Sequence, residues 1–412
     1  MPPPPIQALA PSQALSTDAA GHDLAAVAPD GQPSRVEQRD GATVFVNAFW
    51  TARQRQAHPL HEISYRACFK PQLPAFFIER LTAPGDCVYD PFMGRGTTPL
   101  QAALMGRRAL GGDINPLAPL LVRPRIRPPS LEAVDARLEA IDWRGPADGS
   151  TQGDEALLAF YHPITLSQLQ ALRAYLIERT QSGRLDAADD WIRMVALNRL
   201  TGHSAGFFSA YSMPPNQAVS VAAQQKINAR LGQTPPLRSP PALILRKSRA
   251  LLRGGGPPEG AEASFRTGPA QHSPQIEAGS VDLVVTSPPF LDVVDYAGDN
   301  WLRAWFAGVD LAAAPVTRRG RPKAWGEFVR EVFGELARVV RPGGHVAFEV
   351  GEVRKGEVAL EALVLQALEG LPFEALGVMI NQQSFTKTSN CWGVANNAKG
   401  TNSNRIVLAR RL

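Results

Sequence analysis

The chain has 412 residues, 44% of them hydrophobic and 20% charged, which suits a protein of two or three domains that buries a sizeable core. Lys+Arg 43 against Asp+Glu 38 leaves a formal charge of +5, which permits a polyanionic partner without requiring one. Three scattered cysteines, Cys68, Cys87 and Cys391, exclude a disulfide framework and a CxxC zinc site; no apolar run approaches the roughly 18 residues of a membrane helix, so the chain reads as cytoplasmic, with no membrane and no metal.

Residues 1–40 open on MPPPP and carry no sustained apolar period, a composition too poor in burial to offset the entropy of ordering; they read as a disordered Pro/Ala-rich tail. A short strand is expected at 43–46 and a helix at 71–81. Next come an apolar strand at 87–90 ending in Asp90, the Gly-rich turn Gly94-Arg95-Gly96-Thr97-Thr98, a helix opened by Pro99, and a second strand at 108–112 followed by Asp113. That order of strand, turn, helix, strand and acid begins a doubly wound α/β domain. From 117 to 262 helical stretches (166–179, 189–200) alternate with Pro-rich breaks, as in a mostly helical insert. Strands resume at 281–285, 344–350, 376–380 and 405–409, with a helix at 325–340. The domain is thus divided into 41–116 and 263–412 by the insert.

Two strings carry the chemistry. In the first, Asp90-Pro91-Phe92-Met93-Gly94-Arg95-Gly96-Thr97-Thr98, the small residues at 94 and 96 allow a close approach of ligand to backbone, and the helix start that follows favours a negative group. A P-loop needs Lys after its last Gly and a dinucleotide fingerprint needs a third Gly; this string has neither. Asp113, at the end of the next strand, stands where an acid can bind two ribose hydroxyls, so the combination points to S-adenosylmethionine. The second string, Ser287-Pro288-Pro289-Phe290, follows the 281–285 strand. Its two prolines fix an extended loop, leave carbonyls free to accept from an amino group, and precede an aromatic on which a planar base can stack. By itself it also fits a turn that ends a strand.

Together the strings resemble the amino-methyltransferase family that modifies exocyclic nitrogens of DNA bases, whose cofactor motif reads DPFxGxGTT and whose tetrad reads (D/N/S)PP(Y/F/W). The segment from His61-Glu62 to Phe69-Lys70-Pro71-Gln72-Leu73-Pro74 is similar to the family's cofactor-closing segment, and Arg341-Pro342-Gly343-Gly344 to its late strand. The resemblance covers residues 43–116 and 264–412. It implies a Rossmann-like class I methyltransferase domain using S-adenosylmethionine, held by Asp90, Pro91, Phe92, Gly94, Gly96, Thr97, Thr98, Asp113 and Lys70. It also implies catalysis by Ser287, Pro288, Pro289 and Phe290 on a base flipped out of duplex DNA. No cysteine follows a proline, so a cytosine-C5 mechanism is excluded. The acid that usually contacts the cofactor adenine has no counterpart in Phe265-Arg266-Thr267-Gly268-Pro269-Ala270. Motif order and insert position are like a permuted, solitary, epsilon-like subgroup, some of whose members act on adenine N6; Ser at the head of the tetrad points instead to cytosine N4. The resemblance as a whole favours adenine.

Candidate DNA contacts are Arg246, Lys247 and Arg249 in the insert, Arg318, Arg319, Arg321 and Lys323 in a basic loop, and the amides Asn216 and Gln217. The first group also fits one face of an amphipathic helix, the second a solvated loop, the amides a helix cap. The expected protein is a solitary or modification enzyme acting at the nucleoid, as a homodimer if its site is palindromic. An RNA or protein-glutamine N-methyltransferase shares the tetrad logic, and a cofactor-sensing regulator would not need the tetrad.

Overall fold

A strand that is apolar at successive positions presents apolar side chains to both faces of its sheet, and both are buried only if helices pack on each side. A computed structural model describes residues 24–26, 31–39, 41–50, 57–65, 68–144, 154–213, 218–291, 296–311, 321–351, 353, 357–382 and 404–412. Among these, nine strands form one mixed sheet: β1 (Arg35–Arg39), β2 (Ala42–Asn47), β3 (Cys87–Asp90), β4 (Arg108–Asp113), β5 (Ala263–Thr267), β6 (Val281–Thr286), β7 (Val340–Val350), β8 (Phe373–Asn381) and β9 (Asn404–Arg411). The strand order is β1-β2-β8-β9-β7-β6-β3-β4-β5. β9 runs antiparallel to both β7 and β8, and β1 antiparallel to β2; the remaining pairs are parallel. From β5 to β8 this is the Rossmann-like arrangement expected, with one reversed strand near its edge.

The helices are α1 (Gln72–Leu81), α2 (Thr97–Leu104), α3 (Leu117–Ile126), α4 (Leu131–Ala140), α5 (Pro163–Gln181), α6 (Ala187–Leu197), α7 (Val221–Leu231), α8 (Pro240–Leu252), α9 (Tyr296–Ala307), α10 (Pro322–Val339) and α11 (Leu360–Leu368). Strand alternation divides the core in two. Cys87, Tyr89, Val284 and Phe348 pack with Trp325, Phe333 and Leu336 of α10 on one face. Val88, Leu283, Val285 and Ala347 face the other side, where the core runs without a break through α3 and the insert helices to Leu166, Trp191 and Leu251. The insert is therefore packed onto the sheet, and buried Asp189 fastens its helices by accepting from Tyr175 Oη at 3.1 Å and Arg179 Nε at 2.5 Å.

Two strands depart from the sequence expectation. Residues 35–39 are not tail but the edge strand β1, paired from Arg35↔Val46 to Arg39↔Ala42. Its polar RVEQR sequence hides this, because an edge strand needs only a ladder on one side and β1 buries neither face; Val36 is 56% exposed. Residues 1–23 and 27–30 of the expected tail, and residue 40, lie outside the described residues. β5 is likewise a polar edge strand, paired parallel to β4 on the far side of the insert.

The sheet order reverses at β3, which lies between β4 and β6. The crevice at the carboxyl ends of two strands that diverge in this way is where open α/β sheets bind ligands.

Candidate active site

Both sequence strings lie at that crevice, and hydrogen bonds join them. Asp90, the last residue of β3, is buried; its Oδ1 accepts from Thr286 Oγ1 at 2.6 Å and from the Phe92 N–H at 3.0 Å. Thr98 Oγ1 donates to the Val285 carbonyl at 3.0 Å. The strand ends that carry Asp90 and Ser287 are thus held together from both sides. Burial pushes the Asp90 carboxyl up to about 7, against the opposing pull of the Thr286 hydroxyl and the Phe92 amide.

Asp113 ends β4 partly exposed. Its Oδ2 accepts from the Gly94 N–H and its Oδ1 from the Asn115 N–H, both at 2.8 Å. Desolvation outweighs these bonds and raises the carboxyl to about 6. The two amides fix the carboxylate against the Gly turn and leave each oxygen a further lone pair.

The two glycines serve different ends. Gly94 has φ +50, and a Cβ there would stand 3.5 Å from the Tyr65 ring. At Gly96, φ is +78 and a Cβ would lie 2.2 Å from Val122 Cγ2, so the absence of a side chain here lets α3 pack against the turn. Phe92 meets Phe328 of α10 edge-on at 5.8 Å, and Pro91 and Thr98 are buried. Thr97 accepts from Arg95 Nε at 3.2 Å.

Residues 57–65 cover this turn through buried arginines. Arg95 donates to the Ile63 carbonyl at 2.8 Å, and Arg125 to the carbonyls of Leu60 at 3.1 Å, Leu121 at 2.8 Å and Arg95. Burial lowers Arg125 to about 9, with the Arg95 charge adding to the effect. Tyr65 Oη accepts from Asn115 Nδ2 at 3.3 Å. Its neighbour Ser64 donates its N–H to Asn198 Oδ1 at 3.1 Å and accepts at its carbonyl from Arg303 Nη2 at 3.0 Å. Lys70 is half-buried, with its ammonium pKa lowered by desolvation.

At the tetrad, Ser287 Oγ donates to Glu349 Oε2 at 2.5 Å, and Asn404 Nδ2 donates to Glu349 Oε1 at 3.0 Å. Glu349 lies on β7, 6% exposed, and burial raises its pKa against the lowering effect of both hydrogen bonds. The Pro289 carbonyl accepts from Trp325 Nε1 at 2.9 Å, whereas among the described residues no donor reaches the Pro288 carbonyl. Phe290 packs over Gly351, where a Cβ would stand 2.5 Å from its ring.

Sequence reading missed Glu349, Tyr65, Arg95 and Arg125. The signal for Glu349 was an acid inside the apolar 344–350 strand. Tyr65 stood within the cofactor-closing segment without being singled out.

The DNA candidates are dispersed. Arg246 and Arg249 are exposed on α8, while Lys247 turns inward to Glu62 at 3.5 Å, an acid that also pairs with Arg253 at 3.1 Å. Arg321 and Lys323 are exposed at the start of α10, the helix whose Trp325 holds Pro289. Arg318, Arg319, Asn216 and Gln217 lie outside the described residues, as does the polar stretch 383–390. Among the described residues no three His, Cys, Asp or Glu side chains form a metal-sized group, and no helix is long and apolar enough to cross a membrane.

Comparison with known proteins finds a DNA methylase family model over residues 22–118. A type II methyltransferase, M.MjaII of Methanocaldococcus jannaschii, is 37% identical over 75 residues, 18% of this chain and 14% of the relative. The matched segment thus spans about a seventh of that relative's length. Among solved structures, TrmN from Thermus thermophilus is 13% identical with a TM-score of 0.32, over 87% of this chain and 52% of the other. A DNA modification methylase structure from the same organism, complexed with S-adenosyl-L-methionine, is 23% identical over 33% of this chain and 49% of the other, with a TM-score of 0.20.

Proposed function

We propose that this chain, which matches a DNA methylase family model over residues 22–118, transfers a methyl group from S-adenosylmethionine to an exocyclic amine of a base in duplex DNA. Adenine N6 is the favoured target over cytosine N4, on the permuted motif order and the placement of the insert. Its setting is nucleoid DNA in the cytoplasm. The observation that carries this reading is the convergence of the two strings: Asp90 bonds Thr286, and Thr98 bonds the strand that leads into Ser287.

The residues fit the cofactor. Asp113 is an acceptor-only carboxylate at the carboxyl end of β4, with lone pairs still open to a diol, and the Gly94 turn beside it lies under the Tyr65 ring. When bound, S-adenosylmethionine supplies an electrophilic methyl group. The chain's own task is the amine, whose lone pair is delocalised into the ring and must be drawn toward sp³ geometry. The Pro288 carbonyl accepts one amino hydrogen. Ser287 Oγ accepts the other, because its own proton is already directed at Glu349. As the nitrogen gains its methyl group it loses a proton to Ser287 Oγ, which passes its own to Glu349 Oε2. Phe290 offers the stacking face, worth about 1–3 kcal/mol per base, against the few kcal/mol that unstacking the base costs.

Replacing Asp113 with Ala removes the carboxylate that faces the ribose and also holds Gly94. Loss of one charge-assisted hydrogen bond of about 1.5–3 kcal/mol predicts a rise in the cofactor dissociation constant of roughly tenfold or more, measured by calorimetry. An unchanged constant overturns the ribose assignment. Nucleoside analysis of duplex DNA treated with the protein and cofactor then separates N6-methyladenine, the expected product, from N4-methylcytosine.

A further inference from the structure

Between α6 and α7 the chain gathers cations that the proposed chemistry does not use. Arg199 follows Asn198, the side chain that takes the Ser64 amide, and its guanidinium lies 4.1 Å over the Phe207 ring. The backbone then folds back on itself. Phe208 N–H donates to the Arg199 carbonyl at 2.9 Å and Phe207 N–H to the Ser204 carbonyl at 3.1 Å, closing a turn over 204–207. From α8, Arg246 donates to the Ala205 carbonyl at 3.3 Å.

Three donors converge on Gly206. The place a Cβ would take there lies 3.5 Å from Arg246 Nη2, 3.6 Å from Ser204 Oγ and 3.9 Å from Arg199 Nη1. Arg199 directs Nε to the Asn198 carbonyl at 2.7 Å. Among the described residues no carboxylate pairs with either arginine, and the acid nearby, Glu62, is taken by Lys247 and Arg253. Burial and the Arg246 charge lower the Arg199 guanidinium to about 10. Two guanidiniums and a hydroxyl around a half-buried glycine that carries no side chain form a donor set for a tetrahedral oxyanion.

We infer that Arg199, Arg246, Ser204 and the Gly206 turn seat one backbone phosphate of the DNA substrate. This rests on the proposed DNA reading and extends it to a particular contact. The seat is linked to the site through a chain of contacts: Arg199 follows Asn198, whose side chain accepts from the Ser64 N–H, and the next residue, Tyr65, stands beside Gly94. A phosphate held there fixes the position of the duplex relative to the tetrad and carries no sequence information.

The test measures binding of a synthetic duplex to the full chain by fluorescence anisotropy over a series of salt concentrations, with cofactor affinity measured by calorimetry. Arg246→Ala is expected to weaken duplex binding several-fold at low salt and to flatten the slope of log K against log salt by about 0.9, the value for one phosphate contact in B-DNA. Cofactor affinity is expected to stay unchanged. Arg246→Glu should weaken the duplex further, and Arg199→Lys, which keeps the charge but loses the planar fork, should show an intermediate loss. Duplex affinity and slope equal to the unsubstituted chain in all three variants would overturn the seat while leaving the DNA reading intact. A parallel fall in cofactor affinity would assign the anion to the cofactor's carboxylate and overturn it too. Absence of duplex binding by the unsubstituted chain would remove the DNA reading and the seat together, and an Arg246 effect confined to single-stranded RNA would transfer both away from DNA.

Discussion

Glu349→Gln is expected to lower turnover about a hundredfold or more, the scale of a lost general base, while cofactor and duplex affinities stay as they were. Glu349 accepts the Ser287 hydroxyl proton at Oε2 and the Asn404 amide at Oε1, so Ser287 Oγ presents lone pairs toward the crevice. A glutamine keeps the shape but can direct an N–H at Ser287. The serine proton is then displaced toward the incoming amine, where two donors meet. The pH profile separates this role from a structural one. Burial raises the Glu349 pKa above the ordinary glutamate range, and the relay needs the ionised form, so activity should rise with pH along an acidic limb displaced upward. The Gln variant should lack that limb. Turnover within a few-fold of the unsubstituted enzyme, with the limb intact, would overturn the relay.

Gly96→Ala is expected to cost the fold more than any other single methyl group in the site. Two penalties fall on one carbon. A φ of +78 in the left-handed region costs an L-residue roughly 1–2 kcal/mol, and a Cβ at 2.2 Å from Val122 Cγ2 adds overpacking of about 1–3 kcal/mol. Chemical denaturation should therefore show a loss of about 2–5 kcal/mol, with weaker cofactor binding because the turn next to Gly94 is displaced. Val122→Ala made in the same chain should recover the packing part and leave the backbone part. A double variant no more stable than Gly96→Ala alone would contradict Val122 as the obstacle.

The contrast between what the residues announced and what they concealed has a physical pattern. Strands with two apolar faces, such as Cys87–Asp90 and Val281–Thr286, were legible because each is buried on both sides. The polar edge strands Arg35–Arg39 and Ala263–Thr267 were not, since backbone pairing holds them and leaves little trace in side-chain pattern. The same holds at the site. Asp90 and Ser287 announced themselves in short strings, but their partners are remote: Glu349 is 62 residues from Ser287 and Thr286 is 196 from Asp90. The tight packing of Gly96 against a valine on α3 was not legible, because Val122 is 26 residues away in a segment without a motif. Arg95 and Arg125 conform to no catalytic motif, because most of their partners are backbone carbonyls that any sequence supplies. Among the expected DNA contacts, Lys247 belonged to a basic run, and only the fold reveals the glutamate it faces.

On the proposed reading, the tetrad that follows β6 methylates an amine of a base in DNA. Single-molecule sequencing of DNA from a methylation-free bacterial host that expresses the chain tests it most directly, with Pro288→Ala as the control. Modified adenine is expected in one short motif in the host carrying the unsubstituted chain, and none in the control. Unmodified DNA from a host that makes the folded, cofactor-binding protein would contradict it, as would equal modification by the Pro288→Ala variant.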